Sequence, residues 1–415
     1  MDRRAEIFLT GVFLAVIMAP SLIQTVSELR DGDQPRALEI FFQPPTARNL
    51  HAYEQSLEET SLVVKRFRPW MQYIQWRFLD DAGEKAILGR HGWLFFRQSV
   101  RYVIERQPRG SESDAADPLP AIRSFRDQLQ AQGIRLLVVP VPNKESVYPE
   151  MLAKRAEDAG VVVCEPTRRL LDELEKSGIE HVDLFDIFRS AKEEEHPSDQ
   201  SRLYLAQDSH WSPKGARVAA GAVARRVLER GTVNRGDHTY VESLVTVRRH
   251  GDLVQMLQVP QIERGVEAER LVCLQVVQSD AGTPYRDAPE SEVLILGDSF
   301  LRVYELDEPG AAGFIAHVAR ELGRPLTTIV NDGGASTLVR QALARRSTLL
   351  TNKKLVIWEF AERDIRYGTE GWQVVPLTRL PPRRPDDSAA AKQPAPTAPR
   401  QGSGHGRASR GNEVR

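Results

Sequence analysis

"SEVLILGDSF", residues 291–300, decides the fold. Its first half is a near-continuous apolar run, the pattern of a strand covered on both faces of a parallel sheet. Gly297 then permits a tight turn, and Ser299 opens a helix. A serine so placed stands at the carboxyl edge of an α/β sheet, where open α/β folds put their sites. The free backbone N–H groups of the helix start, with the helix dipole behind them, point at any oxyanion forming beside the hydroxyl.

The same alternation extends outward on both sides. Upstream, "AIRSFRDQLQAQG" (121–133) reads as an amphipathic helix ended by Gly133, and "IRLLVVPVP" (134–142) as a buried parallel strand. A helix over 166–177 comes next. Ser212 and Pro213 then form a good N-cap and first helical residue for "KGARVAAGAVARRVLER" (214–230), whose small residues suit close packing on a sheet. Downstream come a helix (313–323), a strand with a glycine-rich turn (325–337), a helix (338–350) and a last buried strand, "KKLVIWEF" (353–360). Residues 231–290 are less regular, with β-like pieces. These elements predict a three-layer α/β domain over 89–380 with a mostly parallel sheet and an irregular β-containing insert at 231–290. Beyond 380, Pro, Arg, Ala, Gly and Ser without periodicity predict a disordered tail, 381–415.

The N-terminus sets the compartment. "AEIFLTGVFLAVIMAPSLIQTV" (5–26) is apolar over about the length that crosses a bilayer, and Arg3 and Arg4 before it keep the N-terminus cytoplasmic. Residues 1–28 are therefore expected to be a cytoplasmic stub and an anchor or uncleaved signal, with the body outside the cytoplasm. Residues 29–88 read as a helical, membrane-proximal segment. Within it, Trp70, Tyr73, Ile74 and Arg77 of "RFRPWMQYIQWRFL" fall at helical spacing, as a stripe packed on the domain or a sugar-stacking platform. The net charge of -1 over 415 residues gives no electrostatic reason to expect nucleic acid. Two cysteines, Cys164 and Cys273, exclude a disulfide-built scaffold, and both fall in apolar, strand-like runs. One disulfide between them stays open in an oxidising compartment. The histidines show no spacing that suggests a metal, and no cofactor is expected.

A serine hydroxyl is a weak nucleophile until a base takes its proton. "DSHWSPKGA" (208–216) offers one: His210, with Asp208 two positions earlier to hold its tautomer. Trp211 beside them either stacks on a sugar or walls the histidine. Asn143, Lys144 and Tyr148, in "VPVPNKESVYPE" (139–150), lie at the C-terminal end of a predicted strand, on the side of the sheet where the site should be. A plain turn built by Pro142 and Asn143 is the preferred reading there.

The strand–GDS–helix element resembles the first block of the SGNH/GDSL hydrolase superfamily. "IVNDGGAST" (329–337) is similar to its second block, and "VDLFDIF … LAQDSHWSPKGA" to its last, which here precedes the serine. The same circular rearrangement, with "GWLFF", Asp-x-His-Trp, "HGDLVQML" and Gly-Asp-Ser-Phe, resembles extracytoplasmic polysaccharide O-acetyltransferases of the alginate-acetylation type over about residues 85–370. The resemblance implies an SGNH-like fold with Ser299 as nucleophile, His210 as base and Asp208 as its orienter. It departs at the third block, where "LVIWEFAERD" (355–364) offers Glu362 and Arg363 in place of Gly-x-Asn-Asp. Besides the turn at Gly297, the candidate oxyanion or substrate groups are then Asn331, Gly333, Gly334 and Arg363.

The resemblance therefore implies an O-acetyltransferase that moves acetyl through an acyl-serine onto hydroxyls of an exopolysaccharide. It would sit in the inner membrane by a single span, with its catalytic domain in the periplasm. Acetyl groups would reach it through a multi-pass membrane partner. An SGNH-type polysaccharide acetyl-esterase and a non-catalytic glycan-binding subunit are the alternatives.

Overall fold

The computed structural model describes residues 3–35, 44, 46, 47, 49–51, 53, 54, 61–105, 117–196 and 199–377. The tail at 381–415 lies outside the described residues. A four-stranded parallel sheet organises the body. Its strands are β3 (Arg135–Val141), β6 (Val293–Gly297), β7 (Thr327–Val330) and β8 (Leu355–Ala361). They lie side by side in the order β3–β8–β6–β7. Their apolar runs alternate faces at period two, and both faces are covered. Leu137, Val139, Ile295 and Ile357 join one core with the helices α6 (Leu184–Glu193), α7 (Pro213–Glu229) and α8 (Phe314–Leu322). Leu136, Val138, Leu296 and Trp358 join the other, with α4 (Leu119–Gln130), α5 (Glu165–Lys176) and α9 (Leu338–Arg345). The result is the expected three-layer α/β arrangement.

α7 begins where the sequence places it. Ser212 accepts a hydrogen bond on its hydroxyl from the Gly215 amide at 3.1 Å, and Pro213 is the first helical residue. Alanines 216, 219, 220 and 224 are buried in the core that α7 shares with α6 and α8, and their small side chains let the helices approach closely.

Two smaller units flank the body. β1 (Ala86–Leu88) pairs antiparallel with β2 (Leu94–Phe96), which runs into α3 (Arg97–Ile104). Residues 231–290 contain a long hairpin. β4 (Tyr240–Arg249) and β5 (Glu269–Gln278) pair along ten residues each, Arg249 opposite Glu269, with two short helical turns between them. Toward the N-terminus lie α1 (Arg3–Asp31) and α2 (Leu62–Leu79). α1 contains the one span among the described residues long and apolar enough to cross a membrane.

Both cysteines are free. Cys273 is buried in β5. Cys164 departs from the strand reading, because it immediately precedes α5 and bonds the Thr167 hydroxyl at 3.2 Å.

Candidate active site

At the end of β6 the chain turns sharply into a single helical turn, Ser299–Arg302. Asp298 caps that turn by accepting from the Phe300 amide at 2.9 Å, while its own amide donates to Glu359 Oε2 at 3.1 Å. A side chain at Gly297 would put a Cβ 2.2 Å from Glu359 Oε2 and 2.6 Å from Leu301 Cδ1. Glycine is required there for space, and the tight turn lifts Ser299 from the sheet edge.

His210 arrives on the loop that precedes α7. Its Nε2 lies 2.8 Å from Ser299 Oγ and its Nδ1 lies 2.8 Å from Asp208 Oδ1. An ionised carboxylate only accepts, so the proton on the ring is at Nδ1 and Nε2 is free to accept from the serine. Asp208 is fully enclosed. Its Oδ1 also takes the His210 amide at 3.0 Å, and its Oδ2 takes the Arg249 guanidinium at 2.7 Å and the Asp252 amide at 3.4 Å. Burial opposes its charge, but bonding to His210 and the Arg249 charge outweigh burial and hold its pKa below the usual carboxylate range.

The hairpin supplies a second acid. Asp252 Oδ2 lies 3.5 Å from His210 Nδ1, and its carboxylate accepts from the Ser209 amide at 2.7 Å and hydroxyl at 2.5 Å. Burial and the Asp208 charge push Asp252 up to about 6. For His210, burial would lower the pKa, yet the bond to Asp208 and the charges of Asp252 and Asp208 raise it overall. Asp208, His210 and Asp252 bring possible ligand atoms within 4.8 Å of one another. Positive charge already comes from Arg249, and His210 Nε2 faces the serine, an arrangement able to take a proton from its hydroxyl.

Lys144 secures this loop from below. Its ammonium donates to the carbonyls of Leu94 (2.6 Å), Ala206 (2.9 Å) and Asp208 (3.0 Å) and lies 4.9 Å from the Trp93 ring centre. From the other side Gly251 presses on the loop. A Cβ there would meet Gln207 O at 2.1 Å and the Asp208 amide nitrogen at 2.6 Å, both backbone atoms that can yield only by moving the loop. Gly251→Ala is therefore expected to lower kcat by about 100-fold through misplacement of Asp208 and His210. Turnover measured beside circular dichroism checks this; an unchanged kcat would refute it.

Four other sequence candidates lie inside the fold. Trp211 is wholly buried against Phe300 and Phe314, ring centres 5.1 and 5.4 Å away, so it walls the site and presents no face to a sugar. Lys144 has no free donor direction toward a substrate. Tyr148 is enclosed, its hydroxyl donating to Glu195 and accepting from the Leu203 amide. Asn143 is enclosed too: its amide donates to Glu362 Oε2 at 2.8 Å and its Oδ1 accepts from the Arg363 amide at 3.2 Å. These contacts hold the turn after β8, while the Asn143 Nδ2 is buried without a partner among the described residues.

Of the oxyanion candidates, Arg363 stacks on the ring that flanks His210. Its guanidinium carbon lies 5.7 Å from the Phe300 ring centre and 5.5 Å from that of Phe96. Phe300 in turn meets the His210 ring edge-on at 4.8 Å. Burial opposes the Arg363 charge, but Asp364, Asp298, Glu145 and Asp252 keep it charged. Glu362 is enclosed and accepts from Ser146 and Thr167 at 2.6 and 2.7 Å, a structural role. Asn331, Gly333 and Gly334 form the turn after β7. The Asn331 amide donates to Gly297 O at 3.0 Å, and the Gly334 amide donates to Asn331 O at 2.9 Å. No bond from this turn to Ser299 or His210 is present among the described residues. Arg249 and Asp252 were not among the sequence candidates. Asp252 lies in the "HGDL" stretch, whereas Arg249 is one of many basic residues and carries no local signal.

The chain is also similar to known proteins over most of its length. Residues 86–362 match the family described as "SGNH hydrolase-like domain, acetyltransferase AlgX". A "Probable alginate O-acetylase AlgJ" of Azotobacter vinelandii is 23% identical over 375 residues, covering 88% of this chain and 89% of the relative. The protein of the same name in Pseudomonas syringae pv. tomato is 23% identical over 296 residues, 70% of this chain and 71% of the relative. The solved "O-Acetyltransferase Domain of Pseudomonas putida AlgJ" shares the fold with a TM-score of 0.53 at 22% identity, over 68% of this chain and 92% of that one. With the family spanning 86–362, well over half of its length, this chain belongs to the SGNH hydrolase-like domains of the AlgX acetyltransferase type.

Proposed function

We propose that the chain is an O-acetyltransferase that moves an acetyl group, through an acetyl-serine at Ser299, onto hydroxyls of an exopolysaccharide outside the cytoplasm. The observation that carries this reading is the continuous relay from Ser299 Oγ through His210 to Asp208, 2.8 Å at each step, within a family of acetyltransferase domains. The two AlgJ relatives are named as alginate O-acetylases. That points to a carboxylated polysaccharide of the same class as acceptor.

In this reading His210 Nε2 takes the Ser299 proton as Oγ attacks the carbonyl carbon of an acetyl ester or thioester. The Ser299 amide at the head of its turn and the Arg363 guanidinium stabilise the oxyanion. The protonated imidazole, held by Asp208, returns the proton to the leaving group. A sugar hydroxyl then enters, His210 takes its proton as the hydroxyl attacks the acetyl-serine, and the imidazole returns that proton to Ser299 Oγ as the acetylated sugar leaves. Arg249 and Asp252 act through Asp208 and His210 rather than on the substrate. We further read α1 as a membrane anchor, with acetyl groups reaching the site through a multi-pass membrane partner.

The deciding test is mass spectrometry of the protein after incubation with an activated acetyl ester. One added acetyl on the peptide containing Ser299 is expected. Labelling elsewhere, or none, would overturn the reading. Adding an oligosaccharide separates transfer from hydrolysis: acetylated sugar marks a transferase, and free acetate regardless of sugar marks an esterase.

The pH profile offers a second check. A base must be neutral to accept a proton, so kcat/KM should fall as pH drops through a histidine pKa above its ordinary 6.5. The groups facing His210 are Asp208, Asp252 and Arg363. Asp252→Asn removes one of the anions that favour the charged ring, so the acid limb should move to lower pH. An unmoved limb would exclude a tuning role for Asp252.

A further inference from the structure

α2 has two apolar faces, and the domain covers only one of them. Tyr73 and Trp76 pack inward on a cluster that includes Ala82, Leu253, Leu257 and Ile262. On the opposite side Phe67, Trp70, Met71, Ile74 and Phe78 are between 46% and 74% exposed. At 100° per residue these five side chains form one stripe about 100° wide, the width of a helix face that normally meets an apolar partner. This corrects the single-stripe reading of the sequence, in which Trp70 and Ile74 belonged to the same face as Tyr73.

Two observations indicate what covers the stripe. α2 carries Lys65, Arg66, Arg68 and Arg77 and no acidic residue, so it is cationic along its length. On a helical projection Arg66 and Arg77 border the stripe on one side and Arg68 on the other. Also, the helix starts against α1: the Leu62 amide donates to Gln24 Oε1 at 2.9 Å. Gln24 belongs to the C-terminal part of the candidate span Glu6–Asp31, whose mean hydropathy is 2.1 and whose most apolar stretch is left uncovered, while Glu28 near its end is buried. An apolar stripe edged by arginines, on a helix without acids, next to the end of a span, has the chemistry of a helix lying in the headgroup layer of an anionic bilayer.

We propose that α2 lies along the surface of the bilayer that α1 crosses, with Phe67, Trp70, Met71, Ile74 and Phe78 at the headgroup–acyl boundary and its arginines on anionic lipid phosphates. The catalytic domain is then held against the membrane by a second, rigid attachment through Tyr73 and Trp76, instead of swinging on a flexible tether. This rests on reading α1 as the anchor, and the experiment separates the two.

The full chain is reconstituted in vesicles of phosphatidylethanolamine and phosphatidylglycerol whose acyl chains are brominated close to the headgroup. Tryptophan emission is compared with that of Trp70→Phe, so that the difference reports Trp70. Quenching of this difference by about half or more is expected. It should be lost in a variant with serine at Phe67, Met71 and Phe78, whose near-ultraviolet circular dichroism reports an intact domain. A Trp70 signal untouched by brominated lipid overturns the proposal. If acrylamide in the aqueous phase also fails to reach Trp70, protein covers the stripe; if it succeeds, the stripe stands in water. Resistance to carbonate extraction reports α1 separately. An extractable chain whose Trp70 is still quenched upholds α2 at the surface and sinks the anchor, whereas a resistant chain with unquenched Trp70 does the reverse.

Discussion

Alanine at position 299 is expected to lower acetyl transfer by about 10⁴–10⁶-fold and to abolish the acetyl adduct. The thermal midpoint should hardly move, because the hydroxyl is half-buried and bonds to His210 rather than to the core. The backbone of the turn depends on Asp298 and Glu359, which the substitution leaves alone. His210→Ala should cost a comparable factor. The double variant should cost little more than either single one, since a nucleophile without its base and a base without its nucleophile are equally idle. Acetylated oligosaccharide measured under single-turnover conditions checks both points. Residual activity within tenfold of the parent, or losses that multiply, would mean that Ser299 and His210 do not act as one unit.

Why these residues are visible in the chain, and others are not, depends on how each is placed. Ser299 is fixed by local geometry. An apolar strand, a glycine and a helix start within ten residues leave its hydroxyl one position to occupy, so the sequence carries the information. Asp208 and His210 are two residues apart in front of a recognisable N-cap, and their loop is similarly local. Arg249 and Asp252 reach the same centre only because a hairpin, whose paired residues are 20 (Arg249 and Glu269) to 38 (Tyr240 and Gln278) positions apart, folds back over the loop. Neither periodicity nor motif spacing encodes that approach. Residues whose role stays open in the sequence do so for a related reason. Trp211, Lys144, Asn143 and Tyr148 all neighbour the site in sequence or along the sheet edge, but proximity does not tell which way a side chain turns. Each turns inward: Trp211 to the core, Lys144 to three carbonyls, Asn143 to the turn after β8, Tyr148 to Glu195. Likewise the spacing of α2 announces a helix but cannot show that it carries two apolar faces.

Arg249→Met should be the most destabilising single change near the site. Asp208 is fully enclosed, and this guanidinium at 2.7 Å is the cation that offsets its burial. Methionine keeps much of the apolar stem over the Tyr304 ring, whose centre lies 5.5 Å from the Arg249 guanidinium carbon, but leaves the carboxylate to a neutral imidazole and two amides. Removing one partner of a buried ion pair costs about 3–5 kcal/mol, and because 21% of the Arg249 side chain reaches water the lower end of that range is expected. The thermal midpoint should fall on the order of 10 °C. A carboxyl whose folded pKa is depressed contributes stability above its unfolded pKa and loses it as pH falls through the folded value. Without Arg249 the folded pKa of Asp208 rises, so acid unfolding of the variant should begin at a higher pH than in the parent. Asp208→Asn placed in the Arg249→Met background removes the stranded charge, and the pair should lie closer to the parent in stability than Arg249→Met alone. Thermal melts of the four proteins at neutral pH measure this coupling. If the two losses simply add, the pairing does not carry the charge of Asp208, and the low pKa of that carboxyl must be sustained by His210 alone.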